Sequence, residues 1–418
     1  VLGKKLWARL LGVEETVIEG VVYDEVADAV IASVRPVRGR RLRCGICRRQ
    51  GGRYDTGEGR RRWRTLDLGE MKAFVEADAP RVCCPTHGVV VAHVPWARHG
   101  AGHTRGFDDQ VAWLAVHTSR TAVTEVMRIA WRTVGTICAR VSAEGRAAID
   151  PFANLRRIGI DEISYKRGHR YITIVVDHDT GRLVWARPGH DEPTLVAFFE
   201  LLGPERCGQI AFVSCDQAEW IDRIVARRCP QAIRCADPFH VVRWATDALD
   251  EVRRQTWNLA RRSGQVREAQ QLKRARYALW KAPENLTDRQ LGHLAQIQRT
   301  NRHLYRAYLL KEQLREVFAH RGPQALVLLE AWLAWARRCR IPAFIELARR
   351  ITKHRGQIEA TLVYGLSNAL VESVNTRIRL LTRLAFGFRD PNALIGLAML
   401  KLGGYCPPLP GRPLPTHG

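Results

Sequence analysis

Asp161 stands in the run Arg157 to Ile163 (RIGIDEI), which alternates apolar and polar residues as a strand does. An acid in the middle of such a run costs free energy unless it is paired or holds a metal. Asp216 closes a second apolar strand pattern, Ile210 to Cys215, and Asp237 closes a third, Ala232 to Cys235. Glu372 falls in the first turns of a helical pattern over Leu366 to Leu384, with Ser367 or Asn368 as its N-cap. Asp161, Asp216 and Glu372 brought together would hold two Mg2+ or Mn2+ ions about 4 Å apart, one activating an attacking oxygen and the other stabilising the leaving oxygen of a phosphodiester. Asp237 competes with Asp216 for the second place. Asp237 and His240 (DPFH) otherwise form a unit that supports the site, orients the helices that come after it or holds a flipped base. Any one of these acids alone reads as a cap or an ion-pair partner, and only their conjunction points to catalysis.

A second set of residues has metal-ligand spacing. Cys44-Gly-Ile-Cys47 and Cys84-Pro-Thr-His87 are two tight knuckles 36 residues apart, and two such pairs supply the four soft or borderline ligands of a structural Zn2+ site. Cys83 is an alternative to Cys84. Eleven cysteines in 418 residues are too few for a disulfide scaffold, so clustered ones read as ligands and the rest as buried thiols.

The elements that must position these groups change character along the chain. Residues 17–37 alternate in two short runs, as in a small antiparallel sheet. From Phe107 to Glu144 the pattern is helical, with breaks at Thr118 to Arg120 and Ile129 to Trp131. That is the layout of a helix-turn-helix whose last helix, Trp131 to Val141, presents Arg132, Thr133 and Thr136 to a DNA major groove. After Pro151 come a strand, a hairpin turning at His178 to Gly181, a helix (Glu192 to Leu202), a strand ending at Asp216, a helix (Ala218 to Arg228) and a strand ending at Asp237. This is the order of an RNase H-like domain, and it favours Asp216 over Asp237 because Asp216 follows the fourth strand. Residues 241–355 read as almost wholly helical and interrupt that domain, which the Glu372 helix then completes.

Charge and composition exclude several classes. The chain carries 66 Lys+Arg against 42 Asp+Glu, a net +24, and residues 251–355 alone carry +15 while residues 156–250 are close to neutral. A basic block of that density suits a polyanion, whose binding is driven by released counterions. An apolar fraction of 46% with 12 Trp excludes a disordered basic tail. The most apolar stretch, Ala325 to Ala336, is broken by Glu330, so no membrane span is expected. No uninterrupted apolar core precedes Glu14 and Glu15, and a cytoplasmic protein is expected.

The runs IGIDEISYKRGHRYITIVVDHDTGRLVWARPG, ADPFHVVRW and LSNALVESVNTRIRLLTRLAFGFR, with the two knuckles and the helical stretch 107–144, together resemble the third ISL family of bacterial insertion-sequence transposases, which are DDE enzymes. Ser373 is a departure, standing where similar proteins usually carry Gly. The resemblance implies a multi-domain α/β protein. Its parts would be a zinc-binding module (1–100), a helix-turn-helix (101–150), an RNase H-like core (151–250 and 356–405), a basic α-helical insertion (251–355) and a Pro-rich tail (406–418). It also implies a triad of Asp161, Asp216 or Asp237, and Glu372, and recognition of terminal inverted repeats. Arg377, Arg379 and Arg383 would grip the DNA backbone beside the cut. Paired ends imply a homodimer acting on double-stranded element and target DNA. A DNA-binding regulator built on an inactive core, and an RNase H-like nuclease without sequence preference, are the alternative readings.

Overall fold

The computed structural model describes residues 3–166, 168–216 and 218–412, in two compact units. The first comprises residues 1–150, 383–386 and 393–418. It opens with helix α1 (Lys4–Leu10) and strands β1 (Thr16–Asp24) and β2 (Ala29–Pro36), which pair as the expected antiparallel hairpin. The stretch between the knuckles, expected to be a long gap, contains three strands: β3 (Gly52–Asp55), β4 (Arg60–Leu68) and β5 (Met71–Asp78). Arg60 and Arg62 of β4 hide the alternation from a hydropathy reading, because both lie on the solvent face and bond Glu76 across the pair at 2.9 and 2.7 Å. β1, β2, β5 and β4 form one sheet in that order. β3 pairs with β6 (Arg81–Cys84), and β6 with β7 (Gly88–Val91), in a second sheet.

Three helices come next, α2 (Arg105–His117), α3 (Arg120–Met127) and α4 (Trp131–Ala148). The Thr104 and Ser119 side chains cap the first two by accepting from Phe107 and Ala122 N–H, and Arg128 ends α3 in the left-handed region. Phe107, Val111, Val123, Met127, Val134 and Ile137 are their buried apolar residues, and α3 and α4 pack together across the turn at 128–130 as expected. α4 runs seven residues past the expected end at Val141, and its added turns carry Glu144 into an ion cluster around Arg98. Arg98, 8% exposed, bonds Glu144 and Asp109 at 2.6 Å each.

The second unit comprises residues 151–382 and 387–392. Its sheet contains β8 (Arg157–Lys166), β9 (Arg170–Asp177), β10 (Leu183–Pro188), β11 (Phe212–Cys215) and β12 (Ile233–Ala236), in the order β10-β9-β8-β11-β12. β8, β9 and β10 are antiparallel neighbours, and β11 and β12 continue parallel to β8. On one face Ile158 and Ile160 pack with helices α5 (Glu192–Leu202) and α7 (Glu219–Arg228), which flank the short α6 (Pro204–Cys207). Successive strand residues point to opposite faces, so Gly159 and Asp161 look the other way.

α8 (Pro238–Arg262) starts directly from β12, with Asp237 as N-cap and Pro238 in the first turn. It passes through residue 251 without interruption, so no helix boundary falls at the expected start of the insertion. It continues as α9 (Val266–Arg274), α10 (Arg276–Trp280), α11 (Asp288–Thr300), α12 (Arg302–Val317), α13 (Gly322–Arg338), α14 (Pro342–Lys353) and α15 (Arg355–Tyr364). One apolar core joins Ala236 and Val241 to Leu310, Trp332, Phe344 and Leu362, and it runs on across residue 250 and across the turn at His354 between α14 and α15. Gly365, at φ 71°, ends α15, and α16 (Ala369–Leu384) returns to the sheet. α17 (Pro391–Leu402) comes last, its Lys401 Nζ bonding Val116 O at 3.1 Å. No described helix is long and apolar enough to cross a membrane. Of the Pro-rich tail, residues 406–412 form no helix or strand and 413–418 lie outside the described residues.

Candidate active site

Register brings the three aspartates into line. β11 pairs with β8 through Ser214 and Gly159, and with β12 through Cys215 and Ala236. Continuing these parallel registers by two residues and by one sets Asp216 abreast of Asp161 and of Asp237. The three acids occupy one level across adjacent strands, at the C-terminal ends of β11 and β12. α16 crosses the face on which Asp161 lies, because Gly159 leaves a hollow there. A Cβ at 159 would lie 2.3 Å from Val371 Cγ2. Glu372 follows Val371 and is exposed, as is Ser373, which has room where a Gly was expected.

The electrostatics agree with a crowded acid cluster. Burial holds Asp161 above the usual carboxylate range with help from the Asp216 charge, against hydrogen bonds from Glu162 N–H (2.7 Å) and Asn375 Nδ2 (2.7 Å). Burial also raises Glu372, followed by repulsion from Asp237 and Asp161, while His240 and Arg379 favour its charge. Glu162, absent from the sequence reading, is pushed up to about 7 by burial and then by Asp161, Asp216 and Asp191.

Asp216 and Asp237 differ in what they are free to do. Asp237 has a side chain only 4% exposed, and it caps α8 by accepting from Phe239 N–H at 3.3 Å. The Asp216 side chain is 47% exposed at the open end of its strand. His240 stands between them, Nδ1 lying 3.2 Å from Asp237 Oδ2 and 3.4 Å from Asp216 Oδ1. Its pKa is raised, first by the bond to Asp237 and then by the charges of Asp216, Asp237 and Asp161, against burial.

In the first unit the two knuckles converge. The ligand atoms of Cys44, Cys47, Cys84 and His87 all lie within 4.8 Å of one another, the one such group among the described residues. The carboxylates of the second unit are not drawn that close. Cys44 Sγ and Cys84 Sγ are each 3.6 Å from His87 Nδ1, and Cys47 Sγ is 3.6 Å from Cys84 Sγ. A tetrahedron with bonds of about 2.0–2.3 Å has edges of roughly 3.3–3.8 Å, so the donor set fits Zn2+. Of the two neighbouring sulfurs it is Cys84 that joins this group, being buried, whereas Cys83 is exposed on the opposite face of β6. Burial opposes ionisation of Cys84, but the Thr86 and His87 N–H groups aimed at its sulfur, with the His87 ring, bring its pKa down to about 6.

On α4, Arg132 and Thr136 are exposed and Thr133 half-buried, whereas Val134 and Ile137 form the core face. Arg377, Arg379 and Arg383 are exposed along α16. The sequence reading missed Asn375, Ser214, His178 and Glu162. Asn375 could have been found from its position three residues after Glu372, one turn along the same helix face.

Comparison with known proteins agrees with this layout. The model of a DDE transposase of the ISL3 type matches residues 158–397. The helix-turn-helix domain of transposase family ISL3 matches residues 92–142, and the zinc-finger of transposase IS204/IS1001/IS1096/IS1165 matches residues 40–87. The transposase for insertion sequence element IS1557 of Mycobacterium tuberculosis is 58% identical over 433 aligned residues, covering 98% of this chain and 97% of the relative. The transposase for insertion sequence element IS1001 of Bordetella parapertussis is 27% identical over 336 residues, covering 79% and 81%. With a transposase model spanning more than half of the chain and a relative 58% identical along nearly all of it, this chain belongs to the ISL3 family of insertion-sequence transposases.

Proposed function

We propose that the chain cuts and joins the ends of a bacterial insertion sequence at a centre formed by Asp161, Asp216 and Glu372 on an RNase H-like core. The observation that supports this reading is the common register of β8, β11 and β12, which sets Asp161 and Asp216 abreast, together with the repulsion that Glu372 of α16 feels from Asp237 and Asp161. Asp216 is favoured as the second aspartate because its carboxylate faces solvent, whereas Asp237 is engaged in capping α8. The core would comprise residues 151–237 and 365–382, with the helical insertion 238–364 between them.

The oxygens of Asp161, Asp216 and Glu372 are a hard donor set that suits Mg2+ or Mn2+. The fit is supported by the charge crowding at Asp161, Glu162 and Glu372, which adds to burial in raising their pKa values and which divalent cations relieve. When bound, two such ions supply activation of the attacking oxygen and stabilisation of the leaving one. The chain's own residues supply the rest. Asn375 and the Glu162 N–H aim the Asp161 carboxylate, and His240 holds Asp216 beside Asp237. Cleavage at the element end and attack of the freed 3′-OH on target DNA are both in-line displacements, so one constellation serves both.

Cys44, Cys47, Cys84 and His87 hold one structural Zn2+ in this reading. Arg132, Thr133 and Thr136 contact the inverted repeats, while the basic insertion and Arg377, Arg379 and Arg383 hold phosphates. The protein works in the cytoplasm on chromosomal DNA, as a homodimer on paired ends. The test is Mg2+-dependent nicking of a labelled duplex carrying the flanking inverted repeat. Nicking by wild type and by Asp237→Asn, lost in Asp216→Asn, is the expected result. Binding without nicking by wild type would instead favour a DNA-binding regulator, and equal nicking of unrelated duplexes a nonspecific nuclease.

A further inference from the structure

Glu372 is bracketed on α16 by side chains fastened to the strands that carry the two aspartates. One turn before it, the Asn368 carbonyl accepts the Glu372 N–H at 2.8 Å, and the Asn368 side chain, 1% exposed, accepts from Ser214 Oγ. Three residues after it, Asn375 donates to Asp161. Between these clasps Val371 fills the hollow at Gly159. Ser214 and Gly159 each precede an aspartate by two residues, so by strand periodicity they share its face. α16 is thus gauged against the same two strands at Asp216 and at Asp161.

The clasp at Ser214 has a direction. The Asn368 oxygen can only accept, so the single hydroxyl proton of Ser214 is committed to it. His178 Nε2 lies 2.7 Å from Ser214 Oγ and must therefore donate, which fixes its tautomer. Burial, and then the Arg157 charge, lower His178 to about 4, so the ring is neutral near pH 7. The result is a one-way chain from the β9–β10 turn through the sheet to the N-terminus of the Glu372 helix.

We propose that His178, Ser214 and Asn368 are positioning residues that set the height of Glu372 over Asp161 and Asp216, and with it the affinity of the carboxylates for divalent cations. This rests on the catalytic reading above. His178, Ser214 and Asn368 bond one another and include none of the proposed metal ligands or DNA-contacting residues, so loss of this chain alters metal binding and leaves end recognition intact.

The experiment uses the full-length protein, with Mn2+ alone as probe. Bound Mn2+ is counted from loss of the free-ion paramagnetic resonance signal, beside Mg2+ titrations of nicking, gel-shift binding of the inverted repeat and thermal melting. Ser214→Ala and Asn368→Ala should raise the half-saturating Mn2+ and Mg2+ concentrations about 10- to 100-fold, with end binding unchanged. Asn368→Asp keeps the accepting oxygen and should lie within about threefold of wild type. If Ser214→Ala does not fold, the half-buried His178 carries the same test. His178→Gln keeps a donor where Nε2 stands and should bind Mn2+ as wild type does, whereas His178→Leu should not. Folded variants with lowered melting temperatures but unshifted Mn2+ midpoints would overturn the inference and leave the catalytic reading standing. A wild type that neither retains Mn2+ nor nicks would overturn both.

Discussion

Replacing Gly159 by Ala tests whether α16 is seated on the sheet through Val371. The new methyl would lie 2.3 Å from Val371 Cγ2, 2.8 Å from His178 Nε2 and 3.2 Å from Ser214 Oγ. Carbon atoms pack at about 3.5–4.0 Å, so the helix and strand must separate by roughly 1 Å or more. Val371 cannot turn aside, because it is fully buried and a β-branched residue in a helix has one strongly preferred rotamer. Overpacking of this kind costs about 1–3 kcal/mol. In a unit of this size each kcal/mol lowers the melting temperature by about 2–4 °C. Glu372 adjoins Val371 and moves with it, and a misplacement of about 1 Å at a reacting centre costs on the order of a hundredfold in rate.

The partner change is Val371→Ala, which removes the carbon that collides. Alone it loses two methyl groups, about 1.6 kcal/mol at 0.8 kcal/mol each. If the collision is the main cost of Gly159→Ala, the double variant melts no lower than Val371→Ala and recovers most of the nicking activity. Calorimetric melting and Mg2+-dependent nicking of the labelled end give the four corners of the cycle. Stability losses that simply add would refute the seating of α16 on Gly159.

Four further outcomes are expected from the same geometry. Asp161→Asn keeps an oxygen for Asn375 to bond, so it should retain its fold and bind the inverted repeat while nicking falls at least about a thousandfold; loss of binding as well would make Asp161 structural. Chelation of zinc, or Cys84→Ser, should unfold the ribbon and abolish end binding, whereas Cys83→Ser should change neither zinc content nor binding, both read by metal analysis and gel shift. Arg98→Met leaves Asp108, Asp109 and Glu144 without their shared cation and should cost about 3 kcal/mol in denaturant unfolding; a change below about 1 kcal/mol would show the cluster to be dispensable. His178 has a folded pKa of about 4, below its unfolded value of 6.5, so protonation favours the unfolded chain and its stabilisation fades as pH falls from 6.5 toward 4. His178→Gln should therefore escape about 2 kcal/mol of the wild-type destabilisation between pH 7 and 5, and parallel pH profiles would show that His178 does not titrate in this way.

What was legible in the sequence was periodicity and spacing. The helix-turn-helix breaks, the order of strands after Pro151 and the return of the Glu372 helix all announce themselves, because apolar periods of 2 and 3.6 are imposed by one core face. Both zinc knuckles were legible for a different reason, since a tight turn must bring two ligands to one ion within a few residues. β4 was not, because arginines that pair with Glu76 on a solvent face look like a loop composition. The start of α8 was also hidden, because it grows straight out of the five-stranded sheet at β12 and its apolar stripe serves one continuous core.

The second aspartate marks the limit of such reading. Asp216 and Asp237 each end a short buried strand, and parallel pairing puts them at the same level. No pattern within either strand tells them apart. The residues on the C-terminal side make the distinction: Asp237 precedes Pro238, so its carboxylate is turned into the first turn of α8 as a cap and is buried there. Asp216 has no helix starting on it, since α7 begins only at Glu219, and its carboxylate stays open. Asp216 therefore keeps the more accessible carboxylate, while the Asp237 carboxylate is buried beside His240. The Pro after Asp237 is visible in the sequence, and its preference for the first helical turn is the signal that marks Asp237 as a helix cap.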